Sequence, residues 1–149
     1  MTVIAYRAGV MAADRAITST QGMLAGGVAK ITRTSAGWLV GACGHLSAMA
    51  GVREWAEAML HMGDAFVPPQ GNLTDMDAIF VSPTGRVHYF DGHGFPVEVT
   101  GEYFAIGGGE PYAMGAMAVG ADAIQAVQAA CMLGAGLGGG IDVVRLTGG

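Results

Sequence analysis

Residues Thr2 to Asp14 have the sequence TVIAYRAGVMAAD, in which two short β-prone runs flank a pair of small residues. The first run covers residues 2–7 and the second covers residues 10–14, while Ala8 and Gly9 can form the turn between them. The pattern predicts a β-hairpin whose second strand ends at the carboxylate of Asp14. Because Asp14 follows an apolar run, its charge requires a partner.

The composition indicates one domain, spanning residues 1–149, with part of its surface covered by other subunits. Twelve acidic and seven basic residues give a net charge of -5, and no cluster of lysine and arginine is present to bind phosphates. Nucleic acid is therefore not an expected partner. Charged residues make up only 13% of the chain and hydrophobic residues 52%. A soluble monomer of this size normally carries more surface charge, so we expect a homo-oligomer.

Neither a membrane-spanning helix nor a signal peptide is predicted, although the mean hydropathy is +0.44. The most apolar stretch, Ala121 to Met132, is shorter than a spanning helix and contains Asp122, Gln125 and Gln128. The amino terminus lacks a basic region followed by an apolar core. Cys43 and Cys131 do not form a disulfide framework. These features predict a cytoplasmic protein without a membrane partner.

Beyond the hairpin, the sequence predicts strands near residues 29–32 and 37–40, followed by an amphipathic helix. That helix is expected to begin at Ser47 as N-cap, to carry an apolar stripe through Val52, Trp55, Met59 and Met62, and to end before Pro68. Later elements are a hairpin at residues 77–90, a strand at 103–106, a helix after Pro111, a second helix around 124–131, and a final strand at 141–146. This order predicts an α+β protein built in layers.

Thr2 is a candidate nucleophile because removal of Met1 would leave its hydroxyl beside its own free α-amine. A threonine hydroxyl needs a base to take its proton. An α-amine has a reference pKa of about 7.7–8.0, which suits a general base near neutral pH. One residue can thus supply both nucleophile and base, although threonine is also a common second residue with no catalytic role.

Three further residues could support this chemistry. Asp14 could orient the terminal amine or pair with Lys30, and it could equally belong to an ordinary turn. Lys30 lies in an apolar setting, where a cation near Thr2 would favour loss of the hydroxyl proton; the alternative is a surface lysine. Gly44 closes a strand just before the first helix, so its N–H group could face an oxyanion or simply form a turn.

Taken in order, these patterns resemble the proteasome β-type peptidases, which are Ntn-hydrolases, and most closely the bacterial HslV peptidases. The resemblance covers almost the whole chain and rests on Thr2 at the start of a hairpin, GVMAADRA at 9–16, the glycine-led Lys30-Ile31, GACG at 41–44, and YFAIGGGEPYA at 103–113. It implies a four-layer αββα sandwich that assembles into rings with enclosed active sites. It also implies a polypeptide substrate and, as in relatives, a hexameric ATPase unfoldase as a possible partner.

Carried over by motif, the resemblance implies Thr2 as nucleophile and base, Lys30 as activator, Asp14 as its partner and the Gly44 amide as oxyanion donor. Thr18 would pair with an extended substrate. The main specificity pocket would be lined by uncharged residues, so an apolar side chain before the cut is expected; these residues are Val28, Thr32, Ala42 and Leu46. No metal or other cofactor is expected.

The chain departs from the family at supporting positions. Gly108 stands where the family has a serine, and the segment from Ala135 to Gly140 lacks an aspartate and a serine found in proteasomal β subunits. Two alternatives to a threonine peptidase therefore stay open: a non-catalytic ring or scaffold subunit, and an amidase acting on a small molecule. His88, Asp91 and His93 could suggest a metal site, but a solvated hairpin end is the favoured interpretation.

Overall fold

The structure is a computed structural model that describes residues 1–19, 22–26, 29–69, 76–91 and 96–147, with only the backbone described at 18, 19 and 22–26. The predicted strands and helices follow one another in the expected order, and three further strands lie between them. The elements are β1 Ile4–Arg7, β2 Val10–Asp14, β3 Ala16–Ser19, β4 Gly22–Gly26, β5 Ile31–Arg33, β6 Leu39–Cys43, α1 Leu46–Met59, β7 Asp77–Val81, β8 Val87–Phe90, β9 Val97–Val99, β10 Tyr103–Ile106, α2 Glu110–Ala118, α3 Ala123–Leu133 and β11 Ile141–Arg145.

Two antiparallel sheets form the centre of the protein. The first has the strand order β10-β1-β2-β11, and the second has the order β5-β6-β7-β8-β9. A separate ribbon of β3 and β4 carries a register shift between Ile17 and Thr18. The predicted hairpin of β1 and β2 lies at the middle of the first sheet, and Ala8 and Gly9 form its turn with positive φ angles of 51° and 80°.

Alternation along the strands buries both faces of each sheet, because successive side chains point in opposite directions. In β1, Ile4 and Tyr6 face the second sheet, whereas Ala5 packs against α2 and α3. In β6, Leu39 and Cys43 face the first sheet, whereas Val40 and Ala42 pack against α1. The layers are therefore α2 and α3, first sheet, second sheet, and α1, which confirms the predicted αββα sandwich.

The first helix differs from its predicted bounds. The N-cap position is His45 rather than Ser47, and its side chain makes no capping hydrogen bond. The helix ends at Met59, so Met62 lies beyond it and is 86% exposed. The buried stripe consists of Met49, Val52 and Ala56. The sequence pattern overextended the helix because methionines that belong to the surface continued the apolar spacing.

The other predicted elements agree more closely. The hairpin of β7 and β8 and the strands β10 and β11 are confirmed, and Pro111 lies in the first turn of α2. Asp122 and Gln125 form a capping box at the start of α3. The strands β5 and β6 begin later than predicted, and β3, β4 and β9 were not predicted. Among the described residues, no helix is long and apolar enough to cross a membrane.

The expectation of a solvated hairpin end is wrong for His88. Its side chain is only 8% exposed and stacks on Phe66, with ring centroids 4.5 Å apart. The segment that follows α1 covers this face of β8, and Nε2 of His88 has no hydrogen-bond partner. Asp91 is exposed, and His93 lies outside the described residues. In the part of the chain that is described, no three metal-ligating side chains form a group.

Burial lowers the pKa of His88 below its ordinary 6.5, with Glu98, Arg86 and Asp64 acting on it more weakly. Because the folded state disfavours the charged imidazole, the unfolded chain takes up this proton first as the pH falls below 6.5. Between pH 7.5 and 5.5 we therefore expect the free energy of unfolding to fall by more in the protein than in His88→Phe. Urea unfolding at the two pH values measures these free energies. Equal losses of stability in the protein and in His88→Phe would contradict the prediction.

Gly41 in β6 tests how closely the two sheets pack. A Cβ at this position would lie 3.0 Å from Ile4 Cγ2, 3.2 Å from Met11 Sδ and 3.3 Å from Ile31 Cγ2. We expect Gly41→Ala to lower the free energy of unfolding by about 1–3 kcal/mol through overpacking. The matched control is Gly51→Ala in α1, where a Cβ meets nothing within 4 Å. It should stabilise the protein by up to about 1 kcal/mol; equal effects of the two substitutions would refute this packing.

Candidate active site at the amino terminus

The first two residues are held against the loop that precedes α2. The carbonyl oxygen of Thr2 accepts a hydrogen bond from the Gly109 amide at 3.0 Å. Gly107 has a φ of +95°, and a Cβ there would lie 2.2 Å from the same oxygen. Only glycine allows so close an approach. The chain therefore enters β1 from a fixed position at one end of the two sheets, and Thr2 is half-buried there.

Asp14, at the end of β2, is fully buried and receives four hydrogen bonds. Its Oδ1 accepts from Lys30 Nζ at 2.8 Å and from the Val3 amide at 3.1 Å. Its Oδ2 accepts from the amides of Ala16 at 3.3 Å and Gly138 at 3.4 Å. Burial of a carboxylate is costly unless it is paired and hydrogen-bonded, and this carboxylate is both. Asp14 thus fixes Lys30 and the start of β1 relative to each other.

Lys30 lies just before β5 and is only 3% exposed. Besides Asp14, its Nζ contacts the carbonyl oxygen of Met1 at 3.3 Å. The carbon of that carbonyl is bonded to the nitrogen of Thr2, so the ammonium group lies next to the Thr2 backbone. The backbone oxygen of Lys30 accepts from the Ala42 amide at 3.1 Å, which extends the pairing of β5 and β6. The predicted partnership of Asp14 and Lys30 beside Thr2 is thus present in the geometry.

Gly44 follows β6 directly and has a φ of +133°, which favours glycine. Together with Met1 and Thr2 it lines two cavities. The smaller has a volume of 240 Å³ and is lined in addition by Ala16, Ile17, Lys30, His45, Leu46 and Met49. The larger has a volume of 680 Å³ and is lined in addition by Cys43, Met76, Asp77, Tyr89, Asp91, Gly107 and Gly108. Met1, Thr2 and Gly44 are thus common to the linings of both cavities.

The predicted pocket residues are distributed over several places. Leu46 lines the smaller cavity beside Thr2 and Lys30. Ala42 is buried among residues that pack against α1, and Thr32 is half-buried in β5, paired with Val40. Thr18 pairs with Met23 in the ribbon, and its side chain is not described. Val28 lies outside the described residues.

Sequence reasoning did not single out Asp77 and Tyr89, which line the larger cavity. Tyr89 donates a hydrogen bond to Asp77 Oδ1 at 2.9 Å, and burial together with this bond raises the pKa of its hydroxyl. Burial and the charge of Asp77 raise the pKa of the Cys43 thiol to about 11, so this thiol stays neutral and is not a nucleophile. The β7–β8 hairpin was predicted, but no local signal in the sequence shows that it faces the amino terminus.

Gly108 and the glycine-rich segment after α3, where the chain departs from the family pattern, both contact residues of the site. Gly108 faces the side chain of Met1, whose Sδ would lie 2.8 Å from a Cβ built on this glycine. The glycine-rich segment after α3 approaches Asp14 through its backbone, because the Gly138 amide donates to the carboxylate and the Gly138 carbonyl accepts from the Arg15 amide at 2.9 Å. Backbone groups of this segment therefore contact the buried pair directly.

Comparison with known proteins identifies the fold. No family model and no curated protein matches the chain. Among solved structures, Thiobacillus denitrificans BPH in complex with epoxomicin has a TM-score of 0.71 at 17% identity, with 99% of each chain covered. Thiobacillus denitrificans BPH alone has a TM-score of 0.70 at 17% identity, covering 98% of each chain. A eukaryotic HslV from Trypanosoma brucei has a TM-score of 0.69 at 17% identity, covering 97% of this chain and 98% of that one. The chain has the proteasome-type Ntn-hydrolase fold of HslV.

Breaking the buried pair should be costly. Lys30→Met leaves the Asp14 carboxylate without its cation, and we expect it to lower the free energy of unfolding by about 3–5 kcal/mol. The double variant Asp14→Asn/Lys30→Met should recover most of that loss. The matched control is Arg86→Gln, which breaks the exposed pair with Glu98 at 2.7 Å and should cost at most about 1 kcal/mol. Equal losses for Lys30→Met and Arg86→Gln in urea unfolding would contradict this assignment.

Proposed function

We propose that this protein is an N-terminal-threonine peptidase, with Thr2 as nucleophile after removal of Met1. The observation that carries the proposal is the position of Lys30, whose Nζ contacts Asp14 at 2.8 Å and the carbonyl group bonded to the Thr2 nitrogen at 3.3 Å. A buried cation at this point favours loss of the hydroxyl proton and stabilises negative charge. The HslV fold supports the same assignment of Thr2.

In the first half of the reaction, the α-amine of Thr2 takes the proton of the Thr2 hydroxyl, and Oγ1 attacks the carbonyl carbon of the substrate. The negative charge that develops on the carbonyl oxygen is stabilised by the N–H group of Gly44, which lines the cleft beside Thr2. The C–N bond then breaks, and the α-ammonium gives its proton to the departing amine. The products are an ester of Thr2 and a new amino terminus.

In the second half, water hydrolyses the ester. The α-amine takes one proton from the attacking water, the resulting hydroxide adds to the ester carbon, and the same proton returns to Oγ1 as the acid leaves. Lys30 acts by its positive charge and is held in place by Asp14. No metal or other cofactor takes part in these steps.

The smaller cavity is the proposed site for the side chain on the acyl side of the cut. It is lined by apolar side chains of Ile17, Leu46 and Met49, with Lys30 at its end next to Thr2. This lining supports the expected preference for an apolar residue before the scissile bond. The roles expected for Thr18, Val28, Thr32 and Ala42 in binding an extended polypeptide are part of the same proposal.

Self-assembly into a ring is proposed from the outer helices. The helix α2 contains one charged residue, Glu110, and α3 contains none. Large apolar side chains on these helices and the turn between them are exposed: Val119 by 89%, Met132 by 85% and Leu133 by 67%. Further subunits would cover them. An unfolded polypeptide as substrate, a hexameric ATPase unfoldase as partner and a cytoplasmic location belong to this proposal and rest on the resemblance to the family.

A non-catalytic ring or scaffold subunit is the second candidate. It is favoured by Gly108, which brings no hydroxyl to the cleft, and by the segment from Ala135 to Gly140, which contributes glycine backbone to Asp14 instead of side chains. Loss of such supporting groups weakens a catalytic site by allowing the reacting groups to move. An amidase acting on a small molecule is kept as the third candidate, and a screen of small amides on the monomeric protein separates it.

Intact-mass analysis before and after treatment with epoxomicin, a peptide epoxyketone, tests the proposal. The reagent needs both hydroxyl and free α-amine, and the Thiobacillus denitrificans BPH structure contains it. We expect purified protein to lack one methionine residue and to gain one inhibitor per chain. Thr2→Ala should lose the same methionine and gain no inhibitor. Met1-free protein that forms no adduct and cleaves no peptide would favour the scaffold candidate.

A further inference from the structure

The larger cavity contains a side chain of the protein itself. Met1 extends into it and lies against Gly108, where a Cβ would be 2.8 Å from Met1 Sδ and 3.0 Å from Met1 Cγ. The space above Gly108 therefore accepts an unbranched chain and depends on the absence of a side chain at this position. Removal of Met1 leaves that space open next to Thr2.

The charged side chains that line this cavity, among the described residues, are carboxylates. Asp77 and Asp91 line it, and its described lining residues include no lysine, arginine or histidine side chain. Tyr89 orients Asp77 by donating to Oδ1 at 2.9 Å, and the raised pKa of Tyr89 keeps this donor protonated. The other oxygen of Asp77 remains able to accept from a ligand. Glu110 lines the adjoining cleft together with Asp77 and Tyr89.

Thr2 and Gly44 line both cavities, so a substrate bound at Thr2 can place its two sides in different cavities. The proposed function assigns the acyl side to the smaller cavity, with Leu46 and Met49. The amine side of the scissile bond must then extend into the larger cavity. Its first residue comes within reach of the space that Met1 fills, because Met1 is bonded to the Thr2 nitrogen and the scissile carbonyl carbon is attacked by Thr2 Oγ1.

We propose that the larger cavity binds a lysine or arginine side chain of the residue directly after the cut. The unbranched methylene stem would take the place of the Met1 side chain against Gly108, and the cationic end would meet Asp77 and Asp91. This specificity rests on the proposed function for the cleavage step, but the cation site itself does not. Charge-assisted hydrogen bonds to the carboxylates supply the preference for lysine or arginine. Solvent in the open cavity screens these charges and reduces the preference.

A competition experiment tests the specificity. Met1-free protein receives a mixture of peptides that share leucine before the cut and carry lysine, norleucine or glutamate after it, and mass spectrometry gives the ratios of kcat/KM. Norleucine keeps the stem and removes the charge. We expect lysine to exceed norleucine by about five- to tenfold and glutamate to be cleaved most slowly. Norleucine equal to or faster than lysine would overturn the proposal and indicate an apolar subsite.

Two variants assign the effect to the carboxylates. The double variant Asp77→Asn/Asp91→Asn should bring the ratio of lysine to norleucine close to one. The control is Glu54→Gln on the exposed face of α1, outside the residues that line either cavity, and it should leave the ratio unchanged. A ratio that persists in the double variant would refute the role of Asp77 and Asp91.

A binding measurement separates this inference from the proposed function. Met1-free Thr2→Ala protein, which cannot turn over, is titrated with lysyl-glycinamide and norleucyl-glycinamide while the amide signals of Gly107 and Gly108 are followed by NMR. Both probes carry the same α-ammonium, so only the side-chain charge differs. Tighter binding of the lysyl probe, about fivefold or more, supports the cation site even if no peptide is cleaved. Equal binding overturns it, even if the enzyme is active.

Discussion

The buried ion pair between Asp14 and Lys30 is the constraint on which the rest of this structure depends. It joins the end of β2 to the chain before β5, and so connects the two sheets at the end where the amino terminus lies. A buried pair contributes little net stability, because desolvation offsets the attraction of the charges. Its value here is positional: the carboxylate also holds the Val3 amide, which fixes the residue next to Thr2 at a set distance from the cation.

Close contacts between backbone segments also support the site that the ion pair fixes. Gly107 allows its neighbouring loop to meet the Thr2 carbonyl, and Gly138 brings an amide to Asp14. Gly41 lets the two sheets approach each other at Ile4 and Met11. Gly107 and Gly138 thus allow main-chain groups to make contacts that support the site.

Local patterns predicted the parts of the fold that are locally determined. The TVIAYRAGVMAAD hairpin needs only its own strands and turn, and it was predicted with nearly its observed bounds. The sequence left the partner of Asp14 open, because only tertiary packing brings Lys30 to it. Asp77 and Tyr89 were not predicted as site residues for the same reason, because their proximity to Thr2 follows from the stacking of two sheets. Met62 misled the helix prediction, because spacing alone cannot distinguish a buried methionine from an exposed one.

The proposed mechanism requires Lys30 to lie beside Thr2 once Met1 is absent. The distance between Lys30 Nζ and Thr2 Oγ1 is the direct test of this requirement. A crystal structure of Met1-free protein gives the separation of Lys30 Nζ and Thr2 Oγ1. We expect a hydrogen-bonding distance, about 2.7–3.2 Å, with the contact between Lys30 and Asp14 preserved. A separation of about 6 Å or more, or a Lys30 side chain turned away from Thr2 toward solvent, would contradict it.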